Sequence, residues 1–272
     1  MTMAQASCEG QLAHLPNLRP FTLTRSGWAG VQRYSAVWTG DNRSAFTCMP
    51  PDIALNLNMG MSGVAFVGCD IGGFGDSATP ELFARWMEWG VFQPFCRGHS
   101  VTWSVDQEPW SFGPGTEKVV RRMLELRYQL LPYIYTQFVE ASEEGTPINR
   151  ALIFEYPTDA TVVSIGDEFL LGPDLLVAPM LEPGKDRRAV YLPPGDWFHF
   201  WSATHLEGAR WIMAEAPYGQ PPVYVKAGAI IPMHPIRQHT KEAGPEVTFL
   251  NVWPGARLEG RLIEDDGQTT NY

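Results

Sequence analysis

Four apolar runs between Phe21 and His99 each close on a charged or imidazole side chain, and this repetition limits the possible folds more than any other feature. FTLTR ends on Arg25, YSAVWTGD on Asp41, VAFVGCD on Asp70, and VFQPFCRGH on Arg97 and His99. Strands of a parallel sheet read as continuous apolar runs, because helices cover both faces. Helical segments lie between the runs. One starts near Asp52, which can cap it behind Pro50 and Pro51. The next is Pro80–Phe92, with Leu82, Phe83, Trp86, Met87 and Trp89 mostly on one face. Alternating strands and helices predict a parallel α/β fold. In a β/α barrel the chemistry sits where strands end. The runs would then carry Arg25, Asp41, Asp70, Arg97 and His99 to one rim, with Trp28, Trp38 and Phe74 among them.

Each of these residues also has a plainer reading. Asp41 follows Trp38-Thr39-Gly40. A carboxyl beside a large ring is desolvated, which holds its proton and suits a general acid; an Asp before Asn is also a common turn residue. Asp70 precedes Ile71-Gly72-Gly73-Phe74, where glycines let backbone approach a ligand. Arg25, Arg97 and His99 can donate to hydroxyls or orient a carboxylate. Arg97 with Asp70 also fits a structural ion pair, and His99 an ordinary loop histidine.

A net charge of −10 over 272 residues argues against nucleic acid, which calls for clustered Lys and Arg. Aromatics make up 12% of the chain, fitting large cores or flat platforms for the apolar face of a sugar. Cys8, Cys48, Cys69 and Cys96 are scattered and lack metal-ligand spacing, so isolated thiols in a reducing, cytoplasmic setting are expected. The six histidines show no H-E-x-x-H spacing, and there is no phosphate loop or G-x-S-x-G elbow. No stretch is apolar enough to span a membrane, and Met1–Leu15 reads as a weakly amphipathic helix through Met3, Ala6, Ala13 and Leu15.

Thr116–Ser142 is the clearest helix, closed by Gly145 and Pro147. From Ile148 the pattern changes to short apolar runs separated by Pro and Gly, which predicts a β-sandwich and a boundary near Gly145. A second boundary is expected near Pro235–Pro245. The run EGRLIEDDG reads as a last strand with a tight turn at Asp265-Asp266-Gly267.

The segments LTRSGWAGVQRYSAVWTGDN, GVAFVGCDIGGF, ELFARWMEWGVFQPFCRGHS, EPWSFG, LELRYQLLPYIYT and DEFLLGPDLLVAPML together resemble the α-glucosidases of glycoside hydrolase family 31. The resemblance implies the second half of a (β/α)8 barrel over residues 1–146. A proximal C-terminal β-sandwich would follow over 147–236, and the start of a distal β domain over 237–272. It implies Asp41 as the catalytic acid/base and Arg25, Asp70, Arg97 and His99 as ligands of the sugar in the first subsite. Trp38 and Phe74 would be walls of that pocket. The substrate implied is an oligosaccharide or α-glucoside, and the mechanism needs neither metal nor organic cofactor. Retaining enzymes of this kind use two carboxylates about 5–5.5 Å apart. The family's nucleophile lies in a W-x-D-x-N-E-like motif on an earlier strand, and that motif is absent here. The expectation is therefore an internal or C-terminal fragment, inactive and poorly stable alone. α-Xylosidase, α-glucosyl transferase and, in another class, a non-catalytic carbohydrate-binding protein stay open.

Overall fold

The computed structural model describes residues 2–240, 242 and 247–270. The first half holds α1 (Thr2–His14), β1 (Leu23–Thr24), β2 (Ala36–Trp38), α2 (Met49–Met61), β3 (Val67–Gly68), β4 (Asp70–Ile71), α3 (Pro80–Gly90), β5 (Arg97–Gly98) and α4 (Pro114–Glu144). β1, β2 and β3 pair in parallel, as do β4 and β5. The segment 67–71 therefore faces β2 with its first half and β5 with its second. Every strand runs the same way, so their carboxyl ends share one edge. Close approach there depends on Gly68, where a Cβ would lie 1.9 Å from the Phe95 carbonyl oxygen.

Three local expectations change. α1 buries Ala4 and Cys8, one turn apart, with Ala4 packed against Val31, Val37 and Val64, while Met3, Ala6, Ala13 and Leu15 stay exposed. α2 starts at Met49, with Pro50 and Pro51 in its first turn, where a missing N–H costs nothing. Asp52 is consequently inside the helix and buried, and is not its cap. α3 has no solvent face: every residue from Leu82 to Gly90 is buried, Arg85 and Glu88 included. Its cap is Thr79, whose Oγ1 accepts from the Leu82 N–H at 3.2 Å.

After α4 ends on Gly145 in the left-handed region, the chain turns to strands. They are β6 (Asn149–Ala151), followed by the one-turn helix α5 (Leu152–Glu155), then β7 (Phe169–Leu171), β8 (Leu175–Val177), β9 (Arg187–Leu192), β10 (Asp196–His199), β11 (His205–Glu207), β12 (Arg210–Glu215), β13 (Val223–Lys226), β14 (Ile230–Met233) and β15 (Phe249–Val252). Six of them form an antiparallel sheet in the order β11-β10-β13-β8-β7-β6. Its side chains alternate between two cores, as a period of two requires. Phe169, Leu171, Leu175, Val177, Val223 and Val225 join Trp86, Trp89, Met123 and Leu130 from α3 and α4. Leu170, Leu176 and Tyr224 join Val190, Leu192 and Ala214 from the β9–β12 pair. The sheet is thus a middle layer, covered by helices on one side and strands on the other.

The run expected to form a last strand contributes a single bridge, Ala229 to Glu259. The turn at Asp265–Gly267 is present, with the Gly267 N–H donating to Asp265 Oδ1 at 2.6 Å. Asp265 also binds Arg19 at 2.6 Å, and Leu18 bridges Thr269, which closes the two ends of the chain over α4 through Tyr135.

Glu168 is fully buried beside the β9–β12 layer and accepts from the Tyr191 N–H at 3.1 Å. Burial pushes its carboxyl up to about 7. The folded state therefore binds this proton more tightly than the unfolded one. The resulting stabilisation is full below the usual Glu range and is lost as pH rises through 7. Asp174 and Asp52, both raised by burial to about 6, act in the same sense. Urea unfolding should therefore show stability falling from pH 5 to pH 8. Glu168→Gln keeps the acceptor for Tyr191 and should remove on the order of 3 kcal/mol of that fall. An equal fall in both proteins would mean that Glu168 ionises at no cost.

Candidate active site

The common strand edge gathers the charged residues as two ion pairs. Parallel register sets Asp70 beside Arg97, and the Arg97 guanidinium donates to Asp70 Oδ1 at 2.5 Å. The same guanidinium lies 5.3 Å from the Trp38 ring and 5.3 Å from that of Phe95. β2, β4 and β5 thus each contribute one member of a single cluster. Arg25, just past β1, donates to Asp41 Oδ1 at 3.3 Å across the turn that follows β2. Phe74 and His99 stack with ring centroids 5.3 Å apart. Trp28 is different: it is 80% exposed and lines a shallow cleft with Arg25, Leu55 and Met59.

The two acidic residues sit in opposite environments. Asp70 is fully buried, and burial raises its carboxyl pKa against the pull of Arg97 and His99, with the Asp41 charge adding a smaller push in the same direction. The Asp41 side chain is 51% exposed. The desolvation expected from Trp38 does not reach Asp41. Gly40, at φ 92°, turns the chain out of the sheet and carries the carboxyl to Arg25.

Several buried polar atoms in this region have no hydrogen-bond partner among the described residues. They are Asp70 Oδ2, Trp38 Nε1, Thr39 Oγ1, Arg97 Nε and Gln107 Oε1. Leaving such a group unpaired costs about 1–3 kcal/mol. Together they place unpaired donors and acceptors, each closed to solvent in this structure, beside the Asp70–Arg97 pair.

Three further residues shape the site and were not singled out from sequence for that role. Asn42 Nδ2 donates to Asp52 Oδ2 at 2.7 Å and to the Asp70 carbonyl at 3.0 Å, and its Oδ1 accepts from the Phe74 N–H at 2.9 Å. Asp52 is raised to about 6 by burial, with Asn42 pulling down and Asp70 pushing up. Gln107 donates to the Gly73 carbonyl at 3.0 Å and so holds the long loop after β5 to the glycine pair. Asn42 had a sequence signal in its place next to Asp41. Gln107 lies in an irregular loop and had none.

Two family descriptions match the chain. The TIM-barrel domain of glycosyl hydrolases family 31 covers residues 1–137, and the family 31 C-terminal domain covers 145–231. Alpha-glucosidase 2 of Bacillus thermoamyloliquefaciens is 40% identical over 99% of the chain, which corresponds to 34% of that protein. Among solved structures, the family 31 dextranase of Flavobacterium johnsoniae in complex with isomaltotriose superposes with a TM-score of 0.95 at 38% identity, covering all of this chain and 35% of its own. The family 31 α-xylosidase of Xanthomonas citri gives 0.93 at 32% identity, over 99% of this chain and 31% of that one. The chain spans about a third of the length of these relatives. With both family domains matched in sequence order, the chain belongs to glycoside hydrolase family 31.

Proposed function

We propose that this chain carries the acid/base arm and the sugar cradle of a retaining glycosidase that releases terminal α-linked glucose. In this reading Asp41 protonates the leaving oxygen and then deprotonates water. Arg25, Asp70, Arg97 and His99 hold hydroxyls of the terminal sugar, and Trp38 and Phe74 wall the pocket. The observation that carries it is the set of unpaired buried polar atoms around the Asp70–Arg97 pair, at the edge where four parallel strands end. Double displacement needs a second carboxylate as nucleophile. Asp70 is a poor candidate for that role, since its Oδ1 is committed to Arg97 and burial favours its protonated form. The domain reading is a half-barrel over 1–146, a β-sandwich over 147–236 and the start of a further β domain over 237–272. The α-xylosidase similarity keeps a pentose in the terminal subsite as a second reading, and glucosyl transfer would use the same residues. The separated thiols favour a cytoplasmic setting, and among the described residues no helix is long and apolar enough to cross a membrane.

Glucose titrated into the purified chain should shift the amide and ring signals of Phe74, His99 and Trp38 in NMR spectra, with an affinity of roughly millimolar. p-Nitrophenyl α-glucoside should not be turned over, for want of the nucleophile. Silence of all three residues toward glucose and xylose would remove the sugar cradle. Measurable turnover would show that the second carboxylate lies within these residues.

A further inference from the structure

The Asn42 side chain joins three segments at the candidate site. Its two N–H groups reach Asp52 on α2 and the Asp70 carbonyl on β4, and its carbonyl oxygen takes the Phe74 N–H. All of its bonding groups are engaged, each by a different element. The backbone around it reinforces the same junction: Gly75 N–H donates to the Asn42 carbonyl at 2.8 Å, and Ser44 N–H to the Gly75 carbonyl at 2.8 Å. Gly73 lies so close beneath that a Cβ would come within 2.3 Å of the Ser44 nitrogen. Asp41 belongs to this junction by sequence, yet among the described residues its own side chain is held only by the Arg25 contact at 3.3 Å.

We propose that Asn42 is a positioning residue that fixes the Asp41 arm against the Asp70–Phe74 cradle, with Asp52 as its buried anchor. The proposal rests on the reading of Asp41 and Asp70 as site residues. An amide suits the task because it presents two donors and an acceptor at once, whereas a carboxylate could only accept. Asp52 is held in a closed environment, 8% exposed, facing Asn42, Cys69 and Asp70 with its Arg97 partner. Its ionisation strengthens the bond from Asn42, because a charged acceptor binds an N–H more tightly than a neutral one. The state of Asp52 should therefore be felt at Phe74, on the other side of the amide.

The test is NMR on the 272-residue chain without sugar, followed by glucose. In the parent protein the Asn42 side-chain N–H signals and the Phe74 amide should titrate together near pH 6. Phe74 is stacked on the His99 imidazole, so Asp52→Asn is the deciding variant. It keeps the shape, leaves the imidazole in place, and should remove the Asn42 titration and most of that at Phe74. Asn42→Ala should speed Phe74 amide exchange by about tenfold through loss of one hydrogen bond, and should weaken the glucose response by a similar factor. Should Asn42→Ala unfold the chain, Asp52→Asn still decides the matter. A Phe74 amide that titrates unchanged in Asp52→Asn, or keeps its protection in Asn42→Ala, overturns the role of Asn42. Loss of the coupling in both variants, in a chain that never responds to glucose, upholds the junction and overturns the sugar reading instead.

Discussion

Arg85→Ala should destabilise the chain by about 3–5 kcal/mol, as removing one partner of a buried ion pair does. Arg85 and Glu88 meet at 2.9 Å on α3, with side chains 1% and 0% exposed. Neither serves α3 alone. The Arg85 guanidinium donates to the Ala216 and Lys185 carbonyls and lies 4.1 Å from the Tyr218 ring, while Glu88 Oε1 accepts from the Gly219 N–H at 2.7 Å. The pair is therefore a polar peg from the helical layer into the loops that flank the β9–β12 pair. Without Arg85, the Glu88 carboxyl loses its main opposing charge and burial drives it further toward the protonated form. Two carbonyls also lose their donors. Urea unfolding at pH 7 reads the cost. Arg85→Met with Glu88→Gln together should lose less than Arg85→Ala alone, because no unpaired charge remains. A cost below 1 kcal/mol for Arg85→Ala would show that water reaches the peg.

Gly73→Ala should cost a further few kcal/mol and abolish the glucose response, for a reason of backbone rather than charge. Gly73 sits at φ 87°, and an added methyl would meet the Ser44 nitrogen at 2.3 Å and the Arg43 carbonyl carbon at 2.5 Å. Main chain cannot swing aside as a flexible side chain can. The Asn42–Ser44 strand-end loop would have to leave the glycine pair, breaking the contact from Phe74 to Asn42. Left-handed strain costs about 1–2 kcal/mol and overpacking about 1–3 kcal/mol. Gly145 supplies the control: it has φ 75° but nothing within 4 Å of the added carbon. Gly145→Ala should show only the conformational part, about 1 kcal/mol, with the glucose response intact. Equal behaviour of the two variants would mean that the loops are not in the tight contact described.

The strand-end residues were legible because the physics is local: apolar runs close on Arg25, Asp41, Asp70 and Arg97, and parallel pairing aligns them. What lies one layer further in was not. Asp52 gives the same sequence signal whether it caps a helix from outside or is buried in its first turn. The choice was made by Pro50 and Pro51 entering the helix and by Asn42 arriving from another loop. α3 looked one-sided because its large apolar residues fall mostly on one face, whereas the Ala216–Gly219 turn and the Lys185 carbonyl take up Arg85 and Glu88 and make them interior as well. Asp41 stood next to a tryptophan in sequence, but the conformation of Gly40 decided which neighbour it meets.

The strand sheet that packs Phe169, Leu171, Val177 and Val225 onto α3 and α4 has a consequence for how such enzymes exchange parts. Gly145 is where the pattern of the sequence changes, and it looks like a natural crossover for swapping segments between relatives. A chimera joined there would inherit one parent's helices and the other's sheet face, two surfaces that were never shaped to each other. Recombination should succeed only where the donor's Phe169, Leu171 and Val225 positions travel with their Trp86, Trp89 and Met123 counterparts.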